Sequence, residues 1–534
     1  MKFKLLMPLI FSLPNFILAN NQTNILGLDQ QIDKAFQPFS DLVSKVVFFE
    51  VFDGAPFVII LLVGSALFFS IYFGFPNFRY FLTSINIVRG KYDNIDHHES
   101  GSPELAIDGD IKGTIEDESK EGEVTHFQAL ATAVSGTVGN GNIAGVALAI
   151  ALGGPGATFW MIVCGLLGMS TKFVECTLGV QYRDVDDEGT VYGGPMYYIS
   201  KGLKERGFVM LGKIAAVLFA IFCIGGSFGG GNAAQSNQAT IVIKDLLGIE
   251  STSAGAVIGM ILAILVGVII IGGIKRIASV TEKVVPFMAI LYLVACLYII
   301  LSNFSLVDDA ISLIVTEAFN PKAIGVGGII GVLLVGFKRA AFSNEAGAGS
   351  ASIAHSAVKT KYSASEGLVA LLEPFIDTVV ICTMTALVII IFNFDGAFIY
   401  GGDGLGSVTI DGVSYEGAGI TSQAFAQYIP YSNVFLTIAV VLFAVSTMIS
   451  WSYYGLQSWK FLFGRGKAAD LTYKLLFLLF VVIGAAASMN SIWAFSDAMI
   501  FAMVFPNMIG LYFLFPVVKK QLKRYLDAIK ASNA

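Results

Sequence analysis

Charge is what this sequence has least of. Of 534 residues, only 13% are Asp, Glu, Lys or Arg, about half the share carried by soluble domains. Cysteine is scarce as well. Cys164, Cys176, Cys223, Cys296 and Cys382 all lie in apolar runs, with no CxxC pair and no companion histidines, so neither a disulfide framework nor a zinc site has support. The four histidines, His97, His98, His126 and His355, make no metal-ligand spacing. There is no basic cluster interleaved with aromatics, which removes nucleic-acid binding. No HExxH motif and no soluble catalytic domain supports an enzyme.

What is present is apolar. Hydrophobic residues make up 55% of the chain and the mean hydropathy is +0.74. They come in runs too long for an aqueous core, and about 20 such residues span a bilayer as a helix. Eleven spans are expected, near 56–76, 127–152, 154–182, 212–241, 253–274, 281–302, 325–353, 366–393, 433–459, 471–488 and 491–517. Ahead of them, Lys2 and Lys4 precede an apolar stretch ending at Ala19. This pattern reads as a signal peptide over 1–19, with an uncleaved anchor as the alternative. Residues 20–55 then form an extracytoplasmic tail, 56–76 an extra helix, 77–126 a cytoplasmic loop that is polar over 91–126, and 518–534 a cytoplasmic tail.

Orientation follows from the basic residues, since positively charged loops stay in the cytoplasm. Every second loop is basic, with Arg79, Arg89 and Lys91 after the first span and Lys275 and Arg276 after the fifth. The connection 394–432 has no Lys or Arg at all. The C-terminus is therefore expected inside, in a bacterial inner-membrane type of topology.

Two spans are interrupted. The second carries Ser135-Gly136-Thr137-Val138-Gly139-Asn140-Gly141-Asn142, and the seventh carries Phe342-Ser343-Asn344-Glu345-Ala346-Gly347. A helix broken at membrane depth exposes backbone groups that are tolerable only beside a cavity or ligand. Small residues packing two helices closely is the bland alternative. The breaks are five spans apart, an odd number, so the two halves enter the membrane from opposite sides. Paired interrupted helices in inverted halves mark an alternating-access transporter. The expected fold is thus an all-α membrane protein with eleven transmembrane helices. Its five-plus-five inverted repeat covers 127–302 and 325–517, with broken first and sixth core helices and one extra N-terminal helix. A channel built from subunit rings needs no such duplication.

The run Ala129 to Gly145, with Gly153-Gly154-Pro155-Gly156-Ala157, Lys172-Phe173-Val174-Glu175, Gly193-Gly194-Pro195-Met196-Tyr197-Tyr198, Arg339 and Trp451-Ser452-Tyr453-Tyr454-Gly455, resembles the alanine-or-glycine:cation symporter family. The resemblance implies a leucine-transporter-type fold and sodium-coupled uptake of alanine or glycine. It implies a Na+ site made by the carbonyls of Ser135, Val138 and Phe443 and the hydroxyls of Ser446 and Thr447. Hard oxygen donors without full charge suit an ion that must also be released. For the amino acid it implies Thr137, Val138 and Gly139 at the carboxylate, and Phe342, Ser343 and Asn344 at the ammonium and side chain. Gln235 would be a polar contact and Trp451 a wall limiting side-chain volume. A proton-coupled carrier of the same fold is the alternative.

The spans also hold Lys172, Glu175, Lys338, Arg339, Glu345, Glu373 and Asp377. Intramembrane charge needs water or a partner. Glu373 and Asp377, one turn apart, are expected to pair with Arg339 or Lys338, or else to relay protons. Lys172 and Glu175 are expected to snorkel toward the cytoplasm.

Overall fold

The computed structural model describes residues 28–52, 55–96, 122–187, 189–249, 254–320, 328–402, 404, 406–487 and 489–532. The expected signal peptide at 1–19 and most of the polar loop 91–126 lie outside the described residues.

The chain is almost wholly helical. After α1 (Leu28–Val47) and a two-stranded hairpin come α2 (Phe57–Tyr72), the bent pair α3 (His126–Thr137) and α4 (Gly141–Gly153), and α5 (Gly156–Gln181). There follow α6 (Pro195–Glu205), α7 (Val209–Leu247), α8 (Ala254–Ile270), α9 (Gly273–Ser302) and α10 (Val307–Phe319). The second half holds α11 (Gly328–Asn344), α12 (Ala351–His355), α13 (Ser363–Asp395), α14 (Ala418–Tyr428), α15 (Ser432–Phe463), α16 (Lys467–Ala486) and α17 (Met489–Ser532). Among these helices lie three two-stranded antiparallel hairpins and the short helices Pro76–Arg79, Phe81–Val88, Asp93–Asp96 and Phe304–Leu306.

Helices thus occupy each of the eleven apolar segments. Among the described residues, seven are long and apolar enough to cross a membrane, and the α3–α4 pair makes an eighth. Helices α2 and α8 are apolar but short, at 16 and 17 residues. Their outer faces, with those of α9, expose Ile60, Ile71, Ile261, Ile264, Phe287 and Ile290. Water would not tolerate such bands, whereas lipid does.

Helices also form where sequence periodicity offers no span. Helix α1 lies in the expected extracytoplasmic tail and packs against α17. Helix α17 continues to Ser532, through the expected cytoplasmic tail. Helix α9 begins at Gly273, before the expected 281, and carries Pro286 inside it.

Both interruptions are real breaks. Helix α3 starts with a capping box, in which the Thr125 hydroxyl accepts from Gln128 N and the Gln128 side chain accepts from Thr125 N, satisfying two donors the helix start leaves free. The helix stops at Thr137, and α4 resumes with a π turn at Gly141–Gly145 after a 51° bend. The second break follows Asn344: Glu345 takes φ +55°, and Gly347 and Gly349 take φ +97° and +86°. A Cβ on Gly347 would lie 2.2 Å from Leu62 Cδ2, so glycine is required there on two counts. Further π turns occur at Gly229–Ala233 in α7 and Phe375–Cys382 in α13.

Candidate substrate cavity and cation site

The end of α3 explains why a polar site forms. A continuing helix would send Gly139 N–H to the Ser135 carbonyl. Instead Gly139 N donates to Asn142 Oδ1 at 2.9 Å. The Ser135 carbonyl, so released, accepts from Thr447 Oγ1 of α15 at 3.1 Å. Ser135 Oγ in turn donates to the Ser446 carbonyl at 2.7 Å. Ser446 Oγ donates to the Phe443 carbonyl at 2.9 Å and contacts Met288 Sδ at 3.4 Å. Four of the five residues expected at the cation site therefore meet in one buried oxygen cluster between α3 and α15. The fifth, Val138, caps α3 and donates its N–H to Val134 O at 2.7 Å. These donors are all hard oxygens without formal charge, the chemistry an alkali cation accepts.

Beside the cluster, at the meeting of both breaks, lies a small cavity with room for about one water molecule. Of the residues expected at the substrate, Thr137, Gln235, Phe342, Ser343 and Trp451 line it. Thr447 lines it too, so cavity and oxygen cluster share a wall. Val138, Gly139 and Asn344 lie behind that lining. A Cβ on Gly139 would sit 2.4 Å from Thr447 Oγ1, which leaves glycine as the residue that lets α3 approach α15. Asn344 faces away from the cavity: its Nδ2 donates to Thr378 Oγ1 at 2.9 Å and its Oδ1 accepts from Ala346 N at 3.0 Å. It holds the second break.

Each lining side chain is fixed by a partner. Gln235 Oε1 accepts from Asn140 N at 3.0 Å and its Nε2 donates to Gly230 O at 2.9 Å, which staples α7 to the first break. Phe342 stacks on Trp493, with ring centroids 5.3 Å apart. Trp451 Nε1 donates to Glu345 Oε1 at 3.0 Å, and a Cβ on Gly231 would lie 2.2 Å from Trp451 Cγ. The indole is thus pressed into the π turn of α7.

Sequence reasoning missed part of the lining. Gly136, Gly141, Gly230, Glu345 and Ile500 also face the cavity. Gly136 and Gly141 sat in the first break, and Glu345 in the second. Ile500, on α17, carried no signal, because an isoleucine in an apolar helix looks the same facing a cavity or a core.

The charged partners differ from expectation. Asp497 takes both Arg339 and Lys338, the latter at 3.0 Å. Lys172 does not snorkel: it is fully buried and pairs with Glu373 at 2.9 Å. Glu175 accepts from Asn507 Nδ2 at 2.7 Å. Asp377 pairs with no Lys, Arg or His among the described residues. Its carboxylate accepts from Asn142 Nδ2 at 2.7 Å, Ser343 Oγ at 2.9 Å and Thr378 Oγ1 at 2.7 Å, and so ties both breaks to α13. The five cysteines are free.

A helical protein with lipid-facing apolar bands and a polar cavity between paired helix breaks is a multi-pass membrane protein. The chain belongs to the sodium:alanine symporter family, whose profile matches residues 40–534, and it is accordingly a cation-coupled amino-acid symporter. It is 38% identical over 497 residues to the sodium/alanine symporter AgcS of Methanococcus maripaludis, covering 92% of this chain and 100% of that one. It is 33% identical to the amino-acid carrier protein AlsT of Bacillus subtilis, covering 87% of this chain and 88% of that one.

Proposed function

We propose that the protein imports small neutral amino acids, alanine or glycine, together with Na+ by alternating access. In this reading the chain has eleven transmembrane helices in a five-plus-five inverted repeat of the leucine-transporter type. Helix α2 is the extra one and the C-terminus is cytoplasmic.

The observation that carries the proposal is the wall shared by cavity and oxygen cluster. Na+ would lie among the Ser135, Val138 and Phe443 carbonyls and the Ser446 and Thr447 hydroxyls. The amino acid would bind at this cavity, which must widen to admit it, with its carboxylate near the first break and its ammonium near the second. Because α3 supplies both sites, ordering it around one ligand prepares it for the other, which couples the two binding steps. Trp451, Phe342 and Ile500 close the cavity on its apolar side and restrict the side chain to a small one.

A proton-coupled carrier is the second reading, favoured by the buried Asp377 carboxylate, which has no cationic partner among the described residues. Uptake of radiolabelled alanine into proteoliposomes separates the two. Accumulation that follows an imposed Na+ gradient supports the first, and accumulation that follows only a pH gradient supports the second.

A further inference from the structure

Away from the cavity, five buried ionisable side chains from four helices form a nearly continuous run. His126 opens α3 and its Nδ1 bonds Glu366 Oε2, while the other oxygen of Glu366 bonds His355 Nδ1 at 2.5 Å. Beyond His355, Glu373 Oε1 pairs with Lys172 Nζ at 2.9 Å. The run has one gap. His355 Nε2 lies 3.6 Å from Glu373 Oε2, and neither atom has a hydrogen-bond partner among the described residues.

That gap has the form of one missing hydrogen. His355 Nδ1 faces a carboxylate oxygen and so carries a hydrogen, which leaves Nε2 of a neutral ring as a lone pair. It then faces another acceptor, in a site where all of these side chains are 0–5% exposed. With both imidazoles neutral, one Lys against two Glu leaves a net charge of −1 in the run. One proton on Nε2 brings it to zero and supplies the donor that Glu373 lacks. Buried unpaired polar atoms and buried net charge are both unfavourable.

We propose that His355 is a proton-binding site that closes this run and gates the rate of transport. With the proton, the start of α3, the end of α12, α13 and α5 are joined from His126 to Lys172. Without it, the run parts between His355 and Glu373, and α12 loses its direct bond to the Glu373–Lys172 pair, which leaves α13 as the link between the two parts of the run. The other ionisable groups within electrostatic reach include Glu175 and Cys176 of α5, Asp377 of α13, Glu345 of the second break and Tyr454 of α15. Glu175 and Glu345 already have their own donors, Asn507 for the first and Ser350 and Trp451 for the second, so neither supplies the missing hydrogen.

The test uses full-length protein with ring-labelled histidine in lipid nanodiscs, followed by NMR from pH 5 to 9. The expected result is one imidazole that keeps Nδ1 protonated throughout and gains a proton at Nε2 as pH falls, its signal absent in His355→Asn. Should that variant fail to fold, variants at His97, His98 and His126 assign the signal by elimination. In proteoliposomes, wild-type alanine uptake is expected to slow severalfold between pH 8 and 6. His355→Gln, which holds a permanent amide donor toward Glu373, is expected to be slow and flat across that range. A His355 ring that stays neutral at pH 5 overturns the proposal, as does a wild-type pH profile in His355→Gln. The NMR result does not depend on alanine or Na+ being the transported species.

Discussion

Thr447 Oγ1 bonds the Ser135 carbonyl at 3.1 Å, and a Cβ on Gly139 would lie 2.4 Å from the same hydroxyl. One oxygen therefore touches both the end of a broken helix and the glycine that lets it come close. Thr447→Ala removes that oxygen from a coordination shell without formal charge to compensate. Apparent Na+ affinity is expected to weaken severalfold or more, and substrate affinity to fall mainly at limiting Na+, because the two bindings are linked reciprocally. Thr447→Ser should be mild. Alanine binding across a Na+ titration of the three proteins checks this, and an unchanged Na+ dependence in folded Thr447→Ala would move the cation elsewhere.

Trp451 closes the cavity and donates to Glu345 at 3.0 Å. Trp451→Phe enlarges the cavity and leaves a buried carboxylate oxygen without its donor, a loss of about 1–3 kcal/mol. The variant should melt at lower temperature and gain relative uptake of larger neutral amino acids over alanine. Competition assays against alanine uptake measure the second effect.

Lys172 and Glu373 are both fully buried at 2.9 Å. Lys172→Met strands the carboxylate and should destabilise by about 3–5 kcal/mol, whereas changing both residues to Met should recover much of that loss. Thermal unfolding of the single and double variants in one detergent decides it.

A neutral zwitterion moving with one Na+ carries one net charge, worth about 2.3 kcal/mol per 100 mV. Uptake should therefore respond to an imposed membrane potential, which alone supports roughly 50-fold accumulation at 100 mV. Uptake indifferent to a valinomycin-set potential would contradict single-charge coupling.

Sidedness can be checked at two exposed positions. Asp411, between the strands of the 408–415 hairpin, and Lys467, at the start of α16, both lie on the surface. Asp411→Cys should react with an impermeant thiol reagent in intact cells, and Lys467→Cys only after permeabilisation. The reverse pattern would invert the proposed topology.

Helix positions and both breaks were legible because each is written locally. Runs of Leu, Ile, Val and Phe set the helices, and Gly139, Gly347 and Gly349 mark where helical geometry stops. The clustering of Ser135, Ser446 and Thr447 was reachable only through family motifs, since 311 residues separate Ser135 from Ser446. The charge partners were not legible. Asp377 lies one turn from Glu373, yet the first bonds Asn142, Ser343 and Thr378 while the second pairs with Lys172. Which carboxylate meets a cation is decided by how α5 and α13 rotate against each other, and spacing along one helix holds no information about its neighbour. The local bonds of Asn344 were not legible either: its amide oxygen closes the turn through Ala346 N, a competition with regular backbone pairing that short polar side chains offer.

The π turns at Gly141–Gly145 and Gly229–Ala233 each carry surplus chain within a helix that lines the cavity, and the turn at Phe375–Cys382 carries it in α13, whose Asp377 holds the lining residue Ser343. Sliding such a surplus residue along its helix turns the intervening side chains by about 100° and advances them about 1.5 Å, with every peptide group still paired before and after. Gly141, Gln235 and Asp377, which stand in or beside these turns, can thereby be re-aimed without melting any helix. The lining has a built-in screw thread, and rotation along it is the least disruptive way for this bundle to present a different face to a departing solute.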